Sequence, residues 1–100
     1  VNDMTAIPIM SRFAPVIFDA THSCQLPGRG GEITGGRREM APYLARAAVA
    51  AGAHALFIEV HDRPDRAKSD PTTVWPLDRL ADLLTNCLRV HEALNGSKWD

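Results

Sequence analysis

The stretch PVIFDATHSCQLPGRGG, residues 15–31, decides the fold of this chain. A short β-rich run leads into a polar cluster with an aspartate, a threonine, a histidine and a serine, and a glycine-rich loop with one proline follows. Many α/β enzymes build their active sites in this way, with a metal ligand or an acid/base group at the end of a buried strand and a loop above it. Residues 55–70 repeat the arrangement with Glu59, His61 and Asp70. The two stretches together predict part of an α/β enzyme.

The segments around these two stretches predict the order strand, helix, strand, helix. The strands are expected at residues 16–20 and 55–61, and both are as apolar as parallel strands between helix layers tend to be. The helices are expected at residues 37–51 and 77–94, with Gly52 as the C-terminal cap of the first.

Apolar residues at three- and four-residue steps define the buried face predicted for each helix. In the first helix they are Met40, Leu44, Ala47, Ala48 and Ala51. In the second helix they are Leu77, Leu80, Leu84 and Leu88, with Leu83, Cys87, Val90 and Leu94 widening the stripe. Pro76 and Asp78 suit the first turn of the second helix.

The composition argues against several classes of protein. The chain has 100 residues, of which 45% are hydrophobic and 23% charged, so it has ample apolar residues for a core. Its net charge of −1 and its lack of any block of like charges argue against a nucleic-acid partner and against a polybasic membrane partner. Its two cysteines have neither CxxC spacing nor the density of a disulfide scaffold, and no apolar stretch is long enough to span a membrane. A reduced, cytoplasmic protein is therefore expected.

Two strand–helix units do not close a sheet. Strands this apolar need neighbours on both sides, and a (β/α)8 barrel has roughly 250 residues. We therefore expect residues 1–100 to form the C-terminal portion of a single barrel domain whose N-terminal strands are missing from this chain, with residues 1–12 as the tail of a preceding unit. An open α/β sheet would leave the same pattern in the sequence.

Five motifs that follow one another in register resemble one enzyme family. They are DMxxIPIM at 3–10, PVIFDATHSxQLPG at 15–28, TGGxR at 34–38, LFIExH at 56–61 and SD…WPL at 69–77. In this combination they resemble 3-deoxy-D-manno-octulosonate 8-phosphate synthase, also called 2-dehydro-3-deoxyphosphooctonate aldolase. The resemblance implies a class I aldolase-like (β/α)8 barrel, of which this chain forms the seventh strand, the seventh helix, the eighth strand and the eighth helix.

The resemblance also implies a reaction, expected only of the complete barrel. Phosphoenolpyruvate condenses with D-arabinose 5-phosphate and water to give 3-deoxy-D-manno-octulosonate 8-phosphate and phosphate, a cytoplasmic step towards lipopolysaccharide, in a homotetramer. One alternative is the related 3-deoxy-D-arabino-heptulosonate 7-phosphate synthase, which the sequence EVH at 59–61 would suit but which the long loop at 25–36 argues against. Another alternative is an inactive fragment that acts only by association with other barrel pieces.

Three side chains that suit metal binding or acid/base chemistry lie near the strand ends. His22 follows the first strand and is either a structural histidine or a ligand. Glu59 lies in an otherwise apolar strand, where a buried carboxylate needs a cation, a proton or an arginine partner. Asp70 lies in a loop rich in charge and turn formers, as a solvated residue, a helix cap or a further ligand.

In the resemblance, His22, Glu59 and Asp70 match metal ligands, joined by a cysteine from the first barrel strand, which this chain lacks. His22 and Asp70 are also expected to act in catalysis. A set of His, Glu, Asp and Cys suits a divalent transition-metal ion. Family members with asparagine at the cysteine position work without metal, and Ser69 before Asp70 favours the metal-using branch. We therefore expect a divalent metal cofactor, with a metal-free enzyme as the alternative.

Three further residues are expected to act around these ligands. His61 lies two residues after Glu59, so both are expected on the same face of the strand. It is predicted to hydrogen-bond that carboxylate or a bound water, or to be a histidine at the edge of the site whose hydrogen bonds are satisfied elsewhere. The resemblance suggests that Gln25 binds the sugar phosphate or its hydroxyls. Arg38, at the opening of a helix, is predicted to bind an anion of the substrate or to pair with a nearby glutamate.

The loop between these residues and its flanking cysteine have separate expectations. Gly28, Gly30 and Gly31 give the loop the freedom to close over a site as a lid. Cys24, two residues after His22, is expected to be a small buried side chain rather than the missing ligand.

Overall fold

Two parallel strands, each followed by a helix, form the framework of the computed structural model of this protein, which describes residues 2–26, 35–68 and 71–95. In chain order the helices and strands are α1 (Ala6–Ser11), β1 (Ile17–Asp19), β2 (Gln25–Leu26), β3 (Gly35–Gly36), α2 (Ala41–Ala50), β4 (Ala55–Phe57), β5 (Val60–His61), β6 (Trp75–Pro76) and α3 (Leu80–Asn95). Within these residues the strands pair as β1–β4, β2–β3 and β5–β6. The predicted order of strands and helices is confirmed.

The parallel pair β1–β4 brings the two polar stretches of the sequence side by side. Its register opposes residues 17–19 to residues 55–57, so that Asp19 lies across from Phe57. The Ala20 amide continues the ladder by donating to the Phe57 carbonyl oxygen at 3.0 Å. The carboxyl ends of both strands therefore lie at the same edge.

The two faces of this strand pair differ in their cover. Phe18 and Leu56 pack against the buried residues beneath the helices. Ile17 and Phe57, which alternate with them along the strands, are 67% and 52% exposed. The face that lies away from the helices is thus apolar and uncovered by the described residues.

The second predicted strand, at 55–61, is divided into β4 and β5, so the prediction of one continuous strand is wrong. β5 pairs with β6 rather than with β1. Between β4 and β5, Glu59 donates its backbone N–H to the Thr21 hydroxyl at 3.2 Å, and its carbonyl oxygen accepts from the Trp75 amide at 2.8 Å. The strand changes partners at Glu59 with both backbone groups satisfied, which the apolar pattern of the sequence does not encode.

Helix α2 packs closely because its buried face is made of alanines. The fully buried residues of this face are Ala41, Ala45 and Ala48. The helix begins at Ala41 rather than at residue 37, with a 3-10 turn at Arg38–Met40 before it, because Pro42 favours the first turn of a helix. Of the alanines predicted to be buried, Ala48 is buried and Ala47 is exposed.

Gly52 ends α2 as the sequence predicts. Its φ of 102° lies in the left-handed region that glycine favours. The Gly52 amide donates to the Val49 carbonyl oxygen at 3.0 Å, and the Ala53 amide donates to the Ala48 carbonyl oxygen at 2.9 Å. These two bonds form a Schellman motif, which satisfies carbonyl groups at the end of the helix.

Helix α3 buries residues from the part of the predicted stripe that was expected to widen it, and exposes residues from the predicted centre of the stripe. Leu83 and Cys87 are 3% and 5% exposed, whereas Leu84 and Leu88 are 40% and 59% exposed. Two neighbouring apolar stripes with the same four-residue spacing are present in the sequence, and periodicity does not distinguish them. The packing of α3 against α2 selects the stripe that contains Leu83 and Cys87.

The start of α3 also differs from the prediction. Pro76 pairs with His61 in β6 instead of lying in the first turn of the helix. A 3-10 turn at Leu77–Arg79 then leads into α3, and Leu77 remains half-exposed. An extended proline before a helix follows from its fixed φ, which suits the end of a strand as well as a first turn.

Helix α1 occupies the segment that was predicted to be the tail of a preceding unit. Ile7 is its buried residue and packs with Val16 and Ala48 beneath the start of β1. The segment is therefore helical over Ala6–Ser11. No helix in the described part of the chain is long and apolar enough to cross a membrane.

Candidate active site

The Asp19 carboxylate ends β1 and starts the turn that follows it. Its Oδ1 accepts hydrogen bonds from the Thr21 amide (3.2 Å), the His22 amide (2.9 Å) and the Thr21 hydroxyl (3.2 Å). Its Oδ2 lies 2.7 Å from His22 Nδ1. Aspartate side chains favour turns by bonding backbone groups shortly ahead of them. The chain therefore leaves the strand directly into the 3-10 turn His22–Cys24.

The Thr21 hydroxyl connects the ends of the two strands. Thr21 is buried, and its Oγ1 donates to Asp19 Oδ1 while it accepts from the Glu59 amide at 3.2 Å. One hydroxyl group can donate once and accept at the same time. This side chain therefore fixes the distance between Asp19 and the backbone of Glu59.

The His22 ring lies between two carboxylates. Its Nδ1 contacts Asp19 Oδ2 at 2.7 Å, and its Nε2 lies 3.5 Å from Glu59 Oε2. The Phe57 ring lies 6.3 Å from the imidazole, centroid to centroid. The His22, Asp19 and Glu59 side chains are 40%, 38% and 32% exposed. The site is therefore accessible to a ligand from the uncovered face of the strands.

His22 and Glu59 fit as two ligands of one metal ion. Zinc binds imidazole nitrogen and carboxylate oxygen at about 2.0–2.2 Å, so two such atoms on one ion lie about 3–3.5 Å apart. The 3.5 Å between His22 Nε2 and Glu59 Oε2 agrees with this spacing. Asp70, the third predicted ligand, lies outside the described residues. Among residues 2–26, 35–68 and 71–95, no group of three or more His, Cys, Asp or Glu side chains is arranged to hold a metal ion.

His61 lies on β5 with two local partners. Its Nδ1 accepts a hydrogen bond from the Arg63 amide at 2.8 Å and lies 3.1 Å from Asp62 Oδ1. Because Nδ1 accepts, a neutral ring carries its proton on Nε2. An Nε2–H donor suits the predicted role of His61 towards Glu59 or a bound water, and that role stays a prediction.

The two predicted substrate-binding residues lie at opposite ends of the glycine-rich loop. Gln25 begins β2 and pairs with Gly36 of β3, so a short antiparallel ladder joins the two ends of the loop. Residues 27–34, which contain the predicted lid, lie outside the described residues. The Arg38 guanidinium donates to the Pro71 carbonyl oxygen. Substrate binding by these two residues stays a prediction.

Cys24 is a buried side chain, as the sequence predicts. It is 4% exposed, and its thiol donates to the Ala20 carbonyl oxygen at 3.2 Å. Burial, together with the negative charge of Glu39, raises the pKa of the Cys24 thiol, and burial also raises the pKa of the Cys87 thiol. Metal ligands are thiolates, so a thiol held protonated is a poor ligand.

Comparison with known proteins decides the family. The model of the DAHP synthetase I family matches residues 1–94. The chain belongs to this family. Its 2-dehydro-3-deoxyphosphooctonate aldolase relative from Alkalilimnicola ehrlichii is 50% identical over 97 residues, which cover 96% of this chain and 35% of the relative. The relative of the same name from Koribacter versatilis is 54% identical over 97 residues, covering 94% of this chain and 35% of that protein.

These relatives confirm the predicted resemblance, and the chain spans about a third of their length. Among solved structures, the phospho-2-dehydro-3-deoxyheptonate aldolase (DAHP synthase) of Thermotoga maritima is similar with a TM-score of 0.74 and 31% identity. That similarity covers 92% of this chain and 24% of the solved chain. The predicted fold, two strand–helix units of a (β/α)8 barrel, is therefore confirmed.

Asp19 and Thr21 have roles that their place in the polar cluster of the sequence does not predict. A signal was present, because an aspartate in the last position of a strand, followed two residues later by threonine, favours a side-chain-closed turn. The link from Thr21 to the Glu59 amide joins residues 38 positions apart, and no local pattern predicts it.

Loss of the Thr21 hydroxyl is expected to destabilise this family member. The test uses a chimera in which residues 2–95 replace the aligned segment of the Alkalilimnicola ehrlichii relative. Thr21→Val should lower the free energy of unfolding by about 1–3 kcal/mol, because it removes a buried hydroxyl that accepts from the Glu59 amide and donates to Asp19 Oδ1. Thr21→Ser retains the hydroxyl and removes one buried methyl group, so it should lower the free energy of unfolding by less, about 1 kcal/mol. Urea unfolding measures both.

The matched control is Thr85→Val on the exposed side of α3, where the hydroxyl bonds only the Ala81 carbonyl oxygen of its own helix. Surface substitutions of this kind change the free energy of unfolding by no more than about 0.5 kcal/mol. A loss for Thr21→Val no larger than that for Thr85→Val would contradict the bridging role of Thr21.

Proposed function

We propose that the complete protein containing this chain condenses phosphoenolpyruvate with D-arabinose 5-phosphate and water, giving 3-deoxy-D-manno-octulosonate 8-phosphate and phosphate. The observation that carries this proposal is the 50% identity, over 96% of the chain, with a 2-dehydro-3-deoxyphosphooctonate aldolase. Identity with the solved heptonate aldolase is lower, at 31% over 92% of the chain. This difference favours the eight-carbon product.

His22, Glu59 and Asp70 are the residues that would hold a divalent metal ion in this enzyme, together with a cysteine from another part of the complete barrel. The 3.5 Å spacing of His22 Nε2 and Glu59 Oε2 supports the first two. When bound, such an ion supplies Lewis acidity, either to the aldehyde oxygen of the sugar or to a water molecule.

The protein groups bind and orient the reactants. C3 of phosphoenolpyruvate attacks the aldehyde carbon, water adds at C2 and phosphate leaves. The carboxyl ends of β1 and β4 are the edge at which barrel enzymes bind their substrates. Phe57, half-exposed near the His22 ring, offers an apolar surface there. Gln25 would bind the sugar phosphate or its hydroxyls, and Arg38 would bind an anion of the substrate.

A metal-free enzyme is the alternative for the same site. Asp19, His22 and Glu59 are each about one-third exposed or more, so water and substrate can reach them directly. In that case His22, Glu59 and Asp70 would position water and sugar through hydrogen bonds. The homotetramer and the cytoplasmic location remain predictions from the resemblance.

A second candidate is the condensation that uses D-erythrose 4-phosphate and forms the seven-carbon product. The similarity to two solved T. maritima structures, one of DAHP synthase and one of its truncated form, favours it. The twelve-residue segment at 25–36 argues against it, because a longer loop can enclose the longer sugar. An inactive chain that acts only by association is the third candidate.

The chimera is expected to discriminate between the two sugars. With phosphoenolpyruvate, it should release phosphate with D-arabinose 5-phosphate, and at a rate at least about tenfold lower with D-erythrose 4-phosphate, since one extra CHOH unit in an enclosing pocket contributes about 1–3 kcal/mol. Phosphate release measures both rates, and the unmodified relative serves as the control. Faster turnover of D-erythrose 4-phosphate would establish the second candidate, and a folded chimera inactive with both sugars would favour the third.

Removal of the proposed ligands is expected to weaken metal binding and to slow the reaction. In the chimera, His22→Ala, Glu59→Ala and Asp70→Ala should each reduce Zn²⁺ affinity and lower kcat by at least about 100-fold, because each leaves an incomplete coordination shell. His61→Ala should lower Zn²⁺ affinity or kcat by about 10–100-fold, as the loss of a residue that holds a metal ligand in place typically does. Competition with a chelator measures the affinity.

The matched controls are His91→Ala and Glu92→Ala, both exposed on α3. Both should leave affinity and rate unchanged. An enzyme that keeps full activity in chelator yet loses it in the three ligand variants belongs to the metal-free alternative. Full activity in all three variants would contradict the site itself.

A further inference from the structure

We propose that Trp75 is a positioning residue for Glu59. Its buried indole ring holds β6 in place, and the backbone of β6 in turn holds Glu59 where the second strand changes partners. This inference rests on the proposed function in one respect only, since the use of Glu59 is metal binding. How firmly the Glu59 backbone is held is a property of the protein that can be measured without metal and without substrate.

The backbone of Glu59 is held from both sides. Its amide donates to the Thr21 hydroxyl at 3.2 Å, and its carbonyl oxygen accepts from the Trp75 amide at 2.8 Å. The next residue, Val60, lies opposite Trp75 in the register of β5 and β6. β6 consists of Trp75 and Pro76, and proline has no backbone N–H. The Trp75 amide is therefore the backbone donor that β6 offers to the second strand.

The Trp75 side chain anchors β6 in the core. A pair of strands as short as β5 and β6 is not stable on its own, so β6 needs another attachment. The indole ring is 4% exposed, and an aromatic side chain buries about 150–250 Å². It belongs to the buried cluster that contains residues of both long helices, namely Ala41 and Ala45 of α2 and Leu83 and Cys87 of α3.

The same cluster supports the segment that carries His22. Ala20 and Cys24, which lie two residues before and two residues after His22, are buried members of it. The ring that fixes the backbone of Glu59 thus belongs to the packed layer on which the turn of His22 rests. A cavity in place of the ring would loosen β6 relative to this layer, and with it the 3.5 Å spacing between His22 Nε2 and Glu59 Oε2.

The volume of the ring, rather than its polar group, performs this role. The buried Nε1–H of Trp75 bonds no group in the part of the chain that the structure describes. The Arg79 guanidinium lies over the ring, with its carbon 5.3 Å from the ring centroid. Phenylalanine has no N–H and keeps an aromatic face for Arg79. Trp75→Phe should therefore retain the positioning that Trp75→Ala removes.

Leu83→Ala is the matched control. Leu83 is 3% exposed and belongs to the same cluster, but it lies within α3. Its truncation removes core volume without changing a residue of β6. A loss that follows from a weakened core alone would therefore be present in this variant as well.

The experiment compares the chimera with its Trp75→Ala, Trp75→Phe and Leu83→Ala variants. Hydrogen exchange in metal-free protein, followed by NMR, compares the Glu59 amide with the Ala48 amide within α2, which reports the general stability of the core. Competition with a fluorescent chelator reports Zn²⁺ affinity.

We expect a specific loss in Trp75→Ala. Exchange at Glu59 should accelerate at least about tenfold more than exchange at Ala48, and Zn²⁺ affinity should fall by about 10–100-fold. In Leu83→Ala the two amides should accelerate together, with Zn²⁺ affinity within about threefold of the unsubstituted chimera. Trp75→Phe should stay within about threefold in both measurements.

Three outcomes overturn the proposal. One is a Trp75→Ala variant in which Glu59 and Ala48 accelerate equally, or whose Zn²⁺ affinity falls no further than that of Leu83→Ala. Another is a loss in Trp75→Phe as large as the loss in Trp75→Ala. The third needs no variant and holds even if Trp75→Ala does not fold: a Trp75 amide that exchanges as fast as an unstructured peptide in the unsubstituted chimera. If Glu59 loses protection as expected but the unsubstituted chimera binds no Zn²⁺, the metal-dependent function fails while the positioning by Trp75 stands.

Discussion

The parallel register between β1 and β4 is the constraint on which the candidate site depends. It sets Asp19 across from Phe57, and the next two contacts, from the Ala20 amide to the Phe57 carbonyl oxygen and from the Glu59 amide to the Thr21 hydroxyl, continue the same alignment. A slip of one residue would turn Asp19 to the opposite face of the pair. The buried Thr21 hydroxyl helps to prevent that slip because its partners lie on both segments.

The packing divides the molecule into a closed layer and an open one. Fully buried alanines let α2 lie close to the strands, and Leu83 and Cys87 complete that layer from α3. On the other side, Ile17 and Phe57 are more than half exposed. The site groups at the strand ends lie at the edge of this open layer. In a complete barrel, the remaining strands would cover it.

Much of the fold was predictable from the sequence, because the signals are local. The apolar runs indicated both strands, and Gly52 marked the end of α2, where its positive φ requires glycine. The division of the second strand at Glu59 was not predictable, since it depends on β6, whose two residues carry no strand pattern of their own. The buried stripe predicted for α3 was too wide, because Leu83 and Cys87 are buried whereas Leu84 and Leu88 are exposed, and only the contact with α2 separates these two sets.

The site was predictable to a similar extent. An imidazole at one strand end and a carboxylate in an apolar strand indicated His22 and Glu59, and the structure brings these two side chains together. The sequence did not reveal that Asp19 holds the ring, because the role arises from the geometry of the turn. The sequence left open whether Arg38 pairs with a glutamate or binds an anion. In the structure it donates to the Pro71 carbonyl oxygen, a partner that no spacing rule suggests.

The central claim is that His22 and Glu59 of this chain bind one metal ion in the complete protein. Anomalous diffraction from crystals of the chimera soaked in Zn²⁺, recorded on both sides of the zinc absorption edge, tests it most directly. The account predicts one zinc peak that lies about 2.0–2.2 Å from both His22 Nε2 and a Glu59 carboxylate oxygen. Crystals in which zinc binds elsewhere, with His22 Nε2 hydrogen-bonded directly to Glu59, would contradict it.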